Sequence, residues 1–164
     1  MNTEQLFFDM IGYYAGDPEQ IQHFVKVHSF ALRIGLSEHL DADTFNVLEI
    51  AAIVHDIGIK EAIKKHGSSA GKYQEAEGPA VAKEMLEKLN FPKAVIDRVC
   101  YLVGRHHTYS NIDGLDYQIL VEADFLVNMY EGCMNHDDII TVRDKIFRTT
   151  AGIQLCNAMY HLEV

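Results

Sequence analysis

At 164 residues, 48% of them apolar, the chain is long enough to bury a core without staples, and its formal net charge of −10 argues against binding to nucleic-acid polymers or anionic membranes. Its three cysteines, Cys100, Cys133 and Cys156, form no CxxC pair, which argues against a thiolate zinc site and reads as reduced thiols. The opening MNTEQLFFDM lacks a signal-peptide pattern and no apolar run reaches membrane-spanning length, so a cytoplasmic protein, monomeric or homodimeric, is expected.

Helical periodicity runs almost throughout. NTEQLFFDMIGYYAG carries Leu6, Phe7, Met10, Ile11 and Tyr14 on one stripe, and Gly16 stops it. In DPEQ, Asp17 is a helix N-cap, Pro18 the first helical residue and Gln20 the capping-box position. The helix that follows passes through Phe24, Val25, His28, Ala31 and Leu32 and ends before Asp41. A third runs from about Asp43 through Val47, Ile50, Ala51 and Val54 to His55-Asp56, with Gly58 as its C-terminal signal.

A short helical piece, KEAIKKH, leads into HGSSAGKYQ, whose Gly, Ser and Lys content predicts a mobile flap. EAEGPAVAKEMLEKLN and FPKAVIDRVCYLVGRHH read as two helices, TYSNIDGLD as a break, and YQILVEADFLVNMYEG as a further helix. Two more span about 137–147 and 150–161. Strand alternation is absent. The expected fold is all-α: one domain over 1–164 forming a bundle of about seven to eight helices. Its functional core would span about 18–131, with C-terminal helices at 137–161 packed on it.

Of the nine histidines, His23, His39, His66, His136 and His161 sit among polar neighbours or near helix ends and read as surface residues, with His66 set apart because it opens the flexible loop. His28 shares helical spacing with Phe24, Ala31 and Leu32, which places it on the apolar stripe. His55 follows Ala51 by four residues with Asp56 beside it, and adjacent ligands reach one point best at a helix end. Asp124 interrupts the apolar ILVEADFLV, and acids are rarely buried unless paired or bound to a cation. Two imidazoles and two carboxylates facing inward suit a borderline divalent ion, with open positions for water and substrate.

The order His28, then HDIG at His55-Asp56, then EAD at Asp124 resembles the HD-domain superfamily of metal-dependent phosphohydrolases. The resemblance spans nearly the whole chain. It implies that His28, His55, Asp56 and Asp124 hold a divalent ion (manganese, iron, nickel, cobalt, zinc or magnesium). Some members of that family hold a second ion with a histidine of an H-x-x-x-G-A segment and a later HH pair. Here the pair is His106-His107, and Glu77 of EAEGPAVA is read at the former place. One ion is expected, and two are allowed. The alternative reading of His106-His107 is a polar helix end.

The implied activity is hydrolysis of a phosphoester of a nucleotide or other small soluble phosphate. Asp56 would orient the attacking water, and Lys60 and Arg105 would meet the phosphate charge. Lys72 would contact substrate, and Tyr73 would either stack on it or pack. Two departures matter. The HDIGK signature of cyclic-dinucleotide phosphodiesterases is broken by Ile59, with no GYP following. The acid that deoxynucleotide monophosphatases carry three residues after the HD also falls on Ile59. Rival readings are a metal- or nucleotide-binding regulatory module without turnover and, ranked last, a di-iron oxygenase.

Overall fold

The computed structural model describes residues 2–162, so the outermost ends of the expected domain, residue 1 and residues 163–164, lie outside it. Among the described residues there are nine helices and no strand. They are α1 Thr3–Tyr13, α2 Pro18–Ser37, α3 Ala42–Val54, α4 Ile59–His66, α5 Gly71–Lys88, α6 Lys93–Val103, α7 Leu115–Glu131, α8 His136–Ile146 and α9 Thr150–Tyr160. The count exceeds the expected seven to eight because KEAIKKH, with Ile59, winds into two full turns. None of these helices is long and apolar enough to cross a membrane.

The local signals at the start of α2 operate as read. Gly16, at φ +87°, makes the left-handed turn that ends the first segment. Asp17 then accepts the Gln20 backbone N–H at 3.1 Å, and Pro18 opens the helix. α2 lies along both α3 and α7, while α5 lies between α4 and α6. From Ile50 to Ile59 every residue is buried, so the end of α3 and the turn after it run through the middle of the molecule. A helix apolar on all sides must be central. α7 is likewise buried without a break from Asp116 to Asp124.

Gly58 acts differently from a helix stop. Its φ of −72° is ordinary, and it precedes α4 instead of ending α3 in a left-handed turn. What it supplies is space: a Cβ there would come within 2.5 Å of the Gln74 carbonyl oxygen and 2.8 Å of the Gly78 nitrogen. The backbone of α5 therefore rests directly on the turn that carries His55 and Asp56.

The expected flap is shorter than HGSSAGKYQ. α4 ends on a left-handed Gly67, and α5 begins at Gly71, so only 67–70 is loop. Lys72 and Tyr73 belong to the first helical turn. Tyr73 stacks on His66 at 4.3 Å between ring centres, and Lys72 Nζ lies 4.7 Å from the Tyr73 ring centre. At the other end of the chain a buried acid ties α8 and α9 to α7. Glu122 accepts from Gln118 Nε2 at 2.7 Å, from the backbone N–H of Arg148 at 2.6 Å and Thr149 at 2.9 Å, and from the Thr149 hydroxyl. Fully satisfied, it is a structural carboxylate.

Candidate metal centre

Two helices end against the same point. The last carbonyls of a helix lack intrahelical partners, and in α3 and α6 an imidazole three residues on takes one of them. His55 Nδ1 donates to the Ala52 carbonyl at 3.0 Å, and His106 Nδ1 donates to the Val103 carbonyl at 2.9 Å. Each bond fixes its ring with Nε2 turned inward, where both side chains are fully buried. The backbone of the HD turn is pinned from α1, because the Tyr14 hydroxyl donates to the Asp56 carbonyl at 2.7 Å and that of Tyr13 to Ile57 at 3.2 Å.

The histidine that α2 contributes is His23. The buried residues of that helix are His23, Phe24, Val27, Ala31, Ile34 and Gly35. His28 lies about 100° around the helix from Val27, packs at 5.6 Å from the Phe7 ring, and has Nε2 3.6 Å from Glu49. The expectation for His28 is therefore corrected: it faces α1 and α3, outside the cluster. His23, read as a surface residue, takes the inward place. Its Nδ1 donates to Glu131 Oε2 at 2.7 Å, and Lys26 holds the other Glu131 oxygen at 2.6 Å. This outer carboxylate sets the tautomer that leaves Nε2 free as a ligand.

His23 Nε2 lies 3.3 Å from Asp56 Oδ2 and 3.2 Å from Asp124 Oδ1, and His55 Nε2 is 3.6 Å from each of the same two oxygens. The two Nε2 atoms are 3.3 Å apart. Bonds of about 2.0–2.3 Å in octahedral or tetrahedral geometry place neighbouring ligand atoms roughly 2.8–3.8 Å apart. The distances from both imidazoles to each carboxylate thus suit a divalent ion, with His23, His55 and Asp56 forming one group of potential ligand atoms and Asp124 in reach of both imidazoles. Asn128 Nδ2 donates to Asp124 Oδ1 at 2.8 Å and steadies that carboxylate.

The surrounding charge is consistent with a cation-seeking site. His23 is raised to about 9: burial opposes its charge, but the hydrogen bond to Asp124 and the charges of Asp56 and Asp124 outweigh burial. Asp124 is lowered, with burial opposing and the His23 and His55 hydrogen bonds prevailing. Asp56 is lowered against its burial by the His55 charge and the His106 hydrogen bond. Without a metal, the carboxylates draw a proton onto His23.

His106 and His107 leave the α6 end in a turn held from two sides. Glu75 accepts the His107 backbone N–H at 2.9 Å, and the Tyr117 hydroxyl donates to the Arg105 carbonyl at 2.5 Å. His106 Nε2 meets Asp56 Oδ1 at 3.2 Å, so both of its nitrogens face acceptors; burial opposes its charge, yet Asp56 raises its pKa. His107 is lowered to about 4 by burial and the neighbouring His106 charge, and its buried Nε2 has no partner. Asp56, His106 and His107 form a second group of potential ligand atoms around the same Asp.

The remaining expected residues lie elsewhere. Glu77 pairs with Lys65 at 2.5 Å and His66 at 2.9 Å, away from the cluster. Counted back from Gly78, the H-x-x-x-G pattern falls on Gln74, which is buried and lines the cleft over the centre. Lys60 Nζ donates to the Tyr13 carbonyl and lies 4.8 Å from the Tyr13 ring centre. Arg105 is exposed, 4.9 Å from the Tyr101 ring centre. Tyr73 packs on His66, and Lys72 lies over the Tyr73 ring. Among the described residues, the cleft of about 460 Å³ includes His23, Asp56, Gln74 and His107 in its lining but neither lysine nor arginine.

Comparison with known proteins agrees with this fold. The family model described as HD domain matches residues 21–146. A crystal structure of a predicted HD superfamily hydrolase from an uncultured Thermotogales bacterium superposes with a TM-score of 0.70 at 21% identity, over 98% of this chain and 86% of that one. No curated protein matches the chain.

Proposed function

The chain belongs to the HD-domain family, and on that premise we propose that it is a metal-dependent phosphohydrolase acting on a small soluble phosphoester. The observation that carries the reading is the meeting of His23 Nε2 and His55 Nε2 with Asp56 and Asp124 at 3.2–3.6 Å, each carboxylate facing both imidazoles. A divalent ion held by these four residues would lower the pKa of water and polarise a phosphoryl oxygen.

The protein's own groups supply the rest. Asp56 turns Oδ2 toward the two imidazoles and Oδ1 toward His106, so one carboxylate reaches both halves of the site. His106, fully buried, faces Asp56 Oδ1 with its Nε2 and so orients that carboxylate. His107 is neutral near pH 7, lines the cleft, and carries an Nε2 that is buried without a partner.

The test is turnover. Protein loaded with manganese, iron, nickel or cobalt is expected to release phosphate from p-nitrophenyl phosphate and from at least one member of a phosphoester panel. His55→Ala and Asp56→Ala should remove both the bound metal and the activity. Fully metal-loaded protein that cleaves nothing on the panel would overturn the proposal.

A further inference from the structure

The cleft over the cluster poses an electrostatic question: for an enzyme of anionic esters, its described lining offers the imidazoles of His23 and His107 but no lysine or arginine. Asp17, Glu19 and Glu131 line it as well. Glu131 is occupied by His23 and Lys26, but Glu19 is exposed and has no ion-pair partner among the described residues. A divalent ion would offset at most the two inner carboxylates. The rim would still present negative charge to whatever part of the substrate extends from the phosphate.

A second observation comes from the amide of Gln74. This side chain is 8% exposed and donates Nε2 to the Ser69 carbonyl at 2.8 Å. That carbonyl can only accept, so the network assigns the amide nitrogen there and leaves Oε1 as the other atom. Oε1 is buried without a partner. An unsatisfied buried acceptor beside a cleft calls for an N–H or O–H donor, from water or from a ligand. Ile59 and Ile63 add a short apolar wall to the same cleft.

Resting on the phosphohydrolase reading, we infer that the substrate is a phosphomonoester of an amino alcohol, with its phosphate at the metal cluster and its ammonium group toward Glu19 and Gln74. The methylene chain lies on Ile59 and Ile63. Water adds to phosphorus, the P–O bond to the amino alcohol breaks, and the alcohol leaves with the proton that water gave up. Nucleoside di- and triphosphates are excluded by the same rim. Their additional negative charges would be repelled by Asp17 and Glu19.

The experiment compares 2-aminoethyl phosphate with 2-hydroxyethyl phosphate, equal in length but lacking the positive charge, and with ATP, using the manganese-loaded protein. The expected kcat/KM ratio of amine to alcohol is on the order of ten or more, falling as salt rises. Glu19→Gln should reduce that ratio roughly five-fold, and Glu19→Lys should bring it below one. Equal rates, a preference for the alcohol or ATP, or a ratio indifferent to both Glu19 variants overturns the inference and leaves the phosphohydrolase reading intact. Failure to cleave any ester, p-nitrophenyl phosphate included, removes both.

Discussion

Glu131 touches no candidate ligand position of its own, yet it decides what His23 can do. By accepting from Nδ1 at 2.7 Å it places the free lone pair of His23 at Nε2, and Lys26 prevents the carboxylate from turning away. Outer carboxylates of this kind are typically worth 10- to 100-fold in metal affinity, so Glu131→Gln is expected to weaken manganese binding by about that factor. His23→Ala should lose the ion outright, whereas His28→Ala, which alters a ring packed on Phe7, should bind metal as the parent does. Elemental analysis and calorimetric titration of the three variants check this. Metal retained by His23→Ala but lost from His28→Ala would reverse the assignment. The same residue scale explains where the expected phosphate-binding cations went. Lysine and arginine have long, flexible stems, and here Lys60, Lys72 and Arg105 settle on neighbouring tyrosine rings. Nothing in local sequence announces that choice.

At the scale of elements, the turn after α3 depends on how closely α5 can approach it. A methyl group at Gly58 would meet the Gln74 and Gly78 backbone at 2.5–2.9 Å, and backbone cannot swing aside as a side-chain tip can. Gly58→Ala should cost about 1–3 kcal/mol or more as overpacking, read as a lower urea midpoint, with metal affinity falling alongside because His55 and Asp56 ride on the displaced turn. A midpoint unchanged within error would show that α5 yields freely. The helices themselves were legible, since caps and periodicity are local: Asp17, Pro18 and Gly16 behave as their chemistry dictates. His55, Asp56 and Asp124 stood out because polar groups interrupt apolar runs at those positions. His23 did not, because α2 has apolar residues on both sides of the stripe. Phasing on Val25 and Leu32 selects His28, while including Val27 and Ile34 selects His23, a shift of little more than one residue. The reason for Gly58, and the entry of Gln74 into the cleft, required knowing which helix lies across which.

For the whole molecule, the inner cluster couples stability to both pH and metal. In the metal-free protein His23 titrates at about 9 against an ordinary 6.5 because Asp56, Asp124 and Glu131 surround it, and His106 is raised in the same sense by Asp56. A raised histidine contributes stability that is fully present below pH 6.5 and is lost as pH rises through the folded value. The metal-free protein should therefore lose stability between pH 6.5 and 9, by at most on the order of 3 kcal/mol from His23. The lowered values of Asp56 and Asp124 add nothing in that window, as both carboxylates are ionised throughout it. His107, lowered to about 4, also stays neutral there and acts only below pH 6.5. Once a divalent ion replaces the shared protons, His23 is neutral in the folded state and the decline should vanish. Urea midpoints measured from pH 6.5 to 9, in chelator and in excess manganese, separate the two cases. The chelated protein should slope downward while the loaded protein stays level. Parallel curves would mean that the ion, wherever it binds, does not displace protons from His23, and the cluster would then have to be read as a self-satisfied network of imidazolium and carboxylate.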